Sequence, residues 1–312
     1  MELNACLTVV QMHETIGKFH SETSAGFALL VGGAMWGLYW IPVRFFAELG
    51  LTGSWPGVVM YLVTLIAVLP LLWRIRKTLI TRWRALMISG LITGAAFSLY
   101  TTSLVYTDVV RSILLFYLTP IWGTLLGLIF LGERLSVRRG VGLICGIGGL
   151  FVVLGGDQGV PLPQNAGDWL ALVSGMAWAL GSLGLYRAQG IPVAGQVFTF
   201  VFGALIVACL AISLEIQLGQ TVPPKSVFEA SAFYLALSLI FVLPMLFLTI
   251  WPATLLSPAR VGLLLMSEVV VGLFSAALFA NEPFGWQEFL GATLIVGAAV
   301  LELTPSRRTC IK

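Results

Sequence analysis

The residue with the most chemistry to explain is Glu268. It lies about a dozen positions into an apolar run, Ser257–Phe279, whose single cation is Arg260 near its start. A carboxyl group at the centre of a membrane helix costs about 2.5 to 3.5 kcal/mol on insertion scales, so such groups turn inward and bind cations or carry protons. The competing reading is a protonated carboxyl that hydrogen-bonds a neighbouring helix as packing glue. Trp36, Tyr39 and Trp40 place three amphipathic rings on one helix face. With Trp178 they would wall a cavity for flat, apolar or amine-bearing solutes through cation–π contact; ring packing between helices competes equally. Hydroxyls on Tyr100, Tyr117, Ser182 and Ser267 complete the candidate binding set. Most intramembrane hydroxyls bond their own helix backbone.

Four further residues have gating chemistry. Pro120 and Pro244 fall inside apolar stretches, where a missing N–H frees a carbonyl and bends a helix. Arg111 and Arg260 stand at equivalent helix beginnings, as headgroup-reaching side chains or as gate contacts.

The elements that must position these groups are membrane helices. Hydrophobic residues make up 58% of the 312 and charged ones 10%, against about 25% charged in soluble domains. Intervals between charges give ten apolar stretches, each near the length a bilayer needs. Fourteen of the seventeen Lys and Arg residues fall in the same set of alternate loops and in the tails. That asymmetry predicts cytoplasmic N- and C-termini in a multi-pass protein of a bacterial-type inner membrane.

The chain also repeats itself. At an offset of 149 residues Arg111 answers Arg260, Gly123 answers Gly272, and Leu131-Gly132-Glu133-Arg134-Leu135 answers Ala280-Asn281-Glu282-Pro283-Phe284. At 142, Gly33 and Trp36 answer Gly175 and Trp178. Two copies of five helices face the membrane oppositely, an arrangement that lets two halves rock about a midplane site. The expected organisation is a tail over 1–24, a first repeat over 25–154, a linker over 155–168, a second repeat over 169–303 and a tail over 304–312.

Thr119-Pro120, then Leu131-Gly132-Glu133-Arg134-Leu135-Ser136 and the glycines 140, 142, 146, 148 and 149, resemble the repeat of the EamA-type permeases in the drug/metabolite transporter superfamily. The likeness covers about residues 25 to 303, and Trp36-Gly37 fits its usual opening. In the second copy Val269 follows Glu268 where that family often has a proline. The resemblance implies an all-α bundle of ten transmembrane helices around a central cavity, lined mainly by spans 1, 3, 4, 6, 8 and 9.

What the sequence lacks excludes other classes. His13 and His20, the only histidines, lie in the N-terminal tail, so no metal cluster is expected in the membrane. No phosphate-binding glycine loop is present, and no serine and histidine pair within the spans. No enzyme activity, cofactor or nucleic-acid partner is expected. The expected partners are a small-molecule substrate, protons as a candidate coupling ion and the lipid bilayer, with the chain a monomer or weak dimer. The expectation is a secondary transporter, an exporter of a small organic metabolite such as an amino acid or amphipathic amine. A membrane-embedded ligand sensor or accessory subunit is the alternative.

Overall fold

The computed structural model describes residues 22–132, 136–154, 163–187, 190–220, 222–223, 231–279 and 285–303. The Glu133-Arg134-Leu135 motif, its counterpart at 280–284, most of the linker, residues 1–21 of the N-terminal tail and the C-terminal tail lie outside them. All regular structure among the described residues is helical: α1 (22–37), α2 (Trp40–Glu48), α3 (Trp55–Tyr106), α4 (Val109–Phe116), α5 (Thr119–Phe130), α6 (Val137–Leu154), α7 (Ala166–Arg187), α8 (Val193–Gln217), α9 (Ser231–Leu237), α10 (Leu243–Ala253), α11 (Pro258–Leu265), α12 (Ser267–Phe279) and α13 (Trp286–Leu303). A π-helical turn, Ser238–Val242, joins α9 to α10.

The 52-residue α3 is not one rod. Its backbone leaves helical geometry at Arg82 (φ −114°, ψ 15°), and the Tyr61 and Phe97 rings lie 4.7 Å apart. In a straight helix residues 36 positions apart would be separated by about 54 Å. Ser54 Oγ likewise meets Thr102 Oγ1 at 3.0 Å. α3 is therefore two antiparallel arms turned back near Arg82.

Six helices among the described residues are long and apolar enough to cross a membrane, the doubled α3 among them. Shorter apolar helices lie at Ile121–Phe130, Gly140–Gly149 and Phe289–Ala298. Large apolar side chains such as Ile129 (71% exposed) and Ile240 (76%) cover the outside, while Thr64, Thr93, Ser103, Asp168 and Glu268 are buried. Only lipid makes that inversion stable, because it solvates apolar surface and leaves polar groups to pair with one another. The chain is a multi-pass membrane protein.

Small residues bring the backbones together. A Cβ on Gly94 would strike Phe200 O and Ala204 N of α8, and one on Gly37 would lie 2.6 Å from Glu268 O and 2.8 Å from Gly272 N. α3 packs chiefly on α8 and α7, and α13 packs on α6 at the edge of the bundle.

Two breaks recur at one spacing. α4 and α5 are separated by a turn at Tyr117-Leu118, and α11 and α12 by Met266. Shifted by 149 residues, the start and end of α4 fall on those of α11, and the end of α5 falls on that of α12. Helices α4 and α11 both begin after an extended residue, Asp108 (ψ 142°) and Ser257 (ψ 152°).

Candidate functional site

The second break builds the site. Val269 N–H bonds the Met266 carbonyl (3.0 Å), a tightened turn that offers the Leu265 carbonyl sideways. Tyr117, at the α4–α5 turn, reaches that carbonyl at 2.6 Å. It also contacts Glu268 Oε2, in the first turn of α12. Tyr100, on the second arm of α3, donates to Glu268 Oε1 at 2.5 Å. Glu268 is 1% exposed. Two phenols and a carbonyl freed from its helix thus surround one carboxyl group.

Around it lies a cavity of roughly 310 Å³, mouth included, lined by Trp36, Ala96, Phe97, Tyr100, Phe116, Trp178, Phe200, Thr249, Leu265 and Glu268. Its enclosed part has space for about one or two water molecules. The rings form a box: Trp36 meets Phe97 edge-on at 4.9 Å, Phe116 lies 4.8 Å from Tyr100, and Trp178 stands at 90° to Phe200 at 6.2 Å. Ring faces carry negative potential and attract cations. Among the described residues no Lys, Arg or His lines the cavity.

Two indoles differ here. Trp36 Nε1–H donates to Thr249 Oγ1 at 2.9 Å. Trp178, 4% exposed, has a buried Nε1–H without a hydrogen-bond partner. A donor left unpaired in such a place costs about 1 to 3 kcal/mol, and a bound solute with an acceptor would relieve it.

Residues 23–155 match the model of the EamA-like transporter family. That segment is similar to EamA-like transporters. The EamA-like segment contains Trp36, Tyr100, Tyr117 and Phe116; Trp178, Thr249 and Glu268 come from beyond it, so the cavity is shared between it and the second half. No curated protein matches by sequence. Among solved structures, a crystal structure matches at a TM-score of 0.64 and 20% identity, over 90% of this chain and 96% of that one. At that identity the likeness is one of fold.

The other sequence candidates are placed as follows. Tyr39 is fully buried beside the cavity, 3.1 Å from Thr101 Oγ1, which also accepts from Tyr61 at 2.6 Å. Trp40 donates to Ser275 Oγ at 3.0 Å and so ties α2 to α12. Ser182 bonds its own helix at Ala179 O (2.8 Å), and Ser267 bonds Leu30 O (3.2 Å). None of these four lines the cavity. Pro120 occupies the first turn of α5, where a proline needs no N–H partner, just after the Tyr117-Leu118 turn. Pro244 lies inside a helix that runs on through the π turn from Phe233 to Ala253.

The two arginines have protein partners in place of the headgroups the sequence offered them. Arg111 pairs with Asp168 (Nη2 to Oδ2 2.5 Å), and Arg260 with Glu22 (3.1 Å). The sequence places Asp168 at the end of the 155–168 linker. It sits in the first turn of α7, fully buried, and also accepts from Thr107 (2.7 Å) and the Gln164 N–H (2.8 Å). Glu215, near the end of α8, is a third buried acid, bonded by Ser54 N–H (3.2 Å), Ser54 Oγ (2.9 Å) and Tyr106 (3.1 Å). Glu268 is thus one of three buried acids among the described residues, set apart by its place in the cavity. Phe97, Phe116, Phe200 and Thr249 were not singled out from the sequence, which has no signal to separate a cavity phenylalanine from a packing one.

Proposed function

We propose that the chain is a secondary transporter that moves a small organic metabolite, such as an amino acid or amphipathic amine, outward by alternating access. The observation that carries this reading is the cavity itself. It is aromatic and built on helices from both halves, with Glu268 as the one carboxyl group among its described lining residues. Glu268 either binds the positive end of the solute or takes up a proton that drives exchange.

The architecture proposed for this activity is ten crossings in two inverted five-helix repeats, with domain limits as given above. The turned-back α3 and the broken pairs α4–α5 and α11–α12 support ten crossings. The 149-residue spacing of those breaks supports two copies. Helix-end contacts support the alternation: Ser54, Tyr106 and Glu215 meet at one set of ends, and Glu22 with Arg260 meets at ends that alternation assigns to the other face. The positive-inside distribution supports cytoplasmic termini in a bacterial inner membrane. In this reading Arg111 and Arg260 fasten the two faces, and their ion pairs would open as the halves rock.

Counterflow in proteoliposomes against a panel of amino acids and aromatic amines tests the activity, with and without a pH gradient. Accelerated exchange of at least one solute is expected. Binding without flux under every gradient would instead make the chain a ligand sensor.

A further inference from the structure

All the cations of α3 fall in one short segment, Arg74 to Arg84. The first arm begins at Trp55 beside Ser54, and at 1.5 Å per residue it has crossed about 30 Å, the thickness of a hydrocarbon core, when it reaches Arg74. The second arm returns from Arg84 to Thr102, which meets Ser54, over about 27 Å. Arg74 and Arg84 therefore stand at nearly one level, and the segment between them, with Arg76, Lys77 and Arg82, turns beyond the apolar thickness. No Asp or Glu occurs between Glu48 and Asp108.

The last two turns of the first arm have two faces. Leu72 and Leu79 are partly buried, and a Cβ on Gly195 of α8 would lie 3.2 Å from Ile75 and 3.1 Å from Leu79, so that side packs on the bundle. Trp73, Arg76, Lys77 and Ile80, at helical spacings i, i+3, i+4 and i+7, occupy the other. All four are exposed, Trp73 by 74% and Ile80 by 73%. Two cations between two apolar side chains fit the boundary of a bilayer, where tryptophan prefers to lie and the phosphate groups begin. The Arg76 guanidinium lies 4.5 Å from the Trp73 ring centroid, and that of Arg84 lies 5.7 Å from Trp83. A guanidinium stacked by its face keeps its N–H edge for a phosphate, which it binds through two parallel bonds.

Other arginines that the sequence assigns to the same membrane face are engaged by the protein. Arg138 donates to Leu301 O at 2.6 Å, Arg187 to Phe130 O at 2.5 Å, and Arg260 pairs with Glu22 at 3.1 Å. Among the described residues no hydrogen bond or ion pair engages the side chain of Arg74, Arg76, Lys77, Arg82 or Arg84. A cluster of cations without an acid or a carbonyl of its own, at the edge of an apolar thickness, draws its anions from outside the chain. We propose that the α3 turn is a binding site for an anionic phospholipid, with the phosphate held by Arg76 and Lys77 and the acyl chains against Trp73 and Ile80. Leu79 and Leu86 of the same turn pack with Ile191, just before α8, so a lipid held there steadies the junction of α3 with α8. The site is separate from the cavity and independent of the transport reading.

The probes are dioleoylphosphatidylglycerol, dioleoylphosphatidylcholine and inorganic phosphate, each titrated into delipidated protein in neutral detergent. Lipid retention is followed by native mass spectrometry and stability by thermal unfolding. Phosphatidylglycerol is expected to be retained and to raise the unfolding midpoint, while phosphatidylcholine and phosphate at the same concentration do neither. Added salt should weaken its binding, because exposed charges are screened. Each cation at an anionic surface is worth about five-fold in affinity. Arg76→Gln combined with Lys77→Gln should therefore weaken phosphatidylglycerol by about 25-fold. Arg44→Gln, which removes a cation stacked on Trp40 toward the Ser54 end of the bundle, should bind as wild type. Equal retention of the two lipids, binding that salt does not change, or wild-type affinity in the double variant overturns the proposal. Stabilisation by phosphate alone makes the turn a site for soluble anions, and capture of polyglutamate without retention of phosphatidylglycerol makes it a protein-docking surface; either result overturns the lipid. If the double variant does not fold, the lipid comparison and the salt dependence of the wild type carry the test.

Discussion

Asp168 and Glu268 are both buried carboxyl groups near the beginning of a helix, and their surroundings differ in one respect that decides what each is for. Asp168 has a cation: Arg111 lies against it, and Thr107 and the Gln164 amide complete its shell. Every lone pair that matters is occupied by the protein. Glu268 has two phenols, no cation, and a cavity of aromatic rings beside it. Its charge is left for something else to neutralise. A buried acid with its own arginine is a fastening; one without a cation in an aromatic box is a place for a solute or a proton.

Glu268→Gln should separate these roles most sharply. Solute exchange and its response to a pH gradient are expected to be lost, while the midpoint of thermal unfolding in detergent stays the same or rises. The amide keeps the shape and removes the need for a counter-charge. Retained, pH-dependent exchange in this variant would erase the distinction between the two acids.

Asp168→Ala should do the reverse. Removing one partner of a buried pair leaves the other unpaired, at a cost of about 3 to 5 kcal/mol, so the expected result is a large fall in unfolding midpoint. Molecules that remain folded should still respond to pH. Arg111→Ala should do the same with a smaller fall, since Asp168 keeps Thr107 and the Gln164 N–H. If Asp168→Ala instead left stability unchanged and removed pH dependence, the acid assigned as a fastening would be the coupling site.

Trp178→Phe is expected to act on affinity alone. Its N–H bonds nothing among the described residues, so stability should hold. A solute acceptor that uses it would lose about 1 kcal/mol, roughly a five-fold weaker competition in counterflow. Trp36→Phe is the contrast, because it also leaves Thr249 without its donor and should lower stability.

How much of this was legible beforehand follows from which interactions are local. Glu268 stood out because a charge in an apolar run is unusual wherever its helix packs, and Trp36 and Trp178 because they recur at one offset. The partners of Glu268 did not stand out. Tyr100 and Tyr117 precede it by 168 and 151 residues, and only packing of the α3 arm and the α4–α5 turn against α12 brings them there. Asp168 does not stand out because the sequence around it, Gly155 to Asp168, has the glycine, proline and aspartate content of a linker. The arginine that makes it structural is 57 residues upstream. A proline marks where a helix is interrupted or starts without saying which: at Pro120 a new helix starts, while Pro244 lies within a continuous one, next to its π turn.

Ser182 offers the smallest expected effect and a check on the boundary of the site. It lies one turn beyond Trp178 on α7, so sequence spacing alone puts it on the cavity face. Its hydroxyl instead turns back to the Ala179 carbonyl of its own helix, at 2.8 Å, and it does not line the cavity. Such a bond satisfies the hydroxyl at little net gain, because the carbonyl is already engaged in the helix ladder. Ser182→Ala should therefore leave counterflow rates unchanged and shift the unfolding midpoint by an amount corresponding to about 0.6 kcal/mol or less. Ser275→Ala differs, since that hydroxyl accepts from Trp40 across two helices and its loss leaves a buried indole N–H unpaired. A Ser182→Ala protein with altered solute preference would move the wall of the cavity one turn along α7, and the Trp178 N–H would then be one of two polar groups facing the solute from that helix.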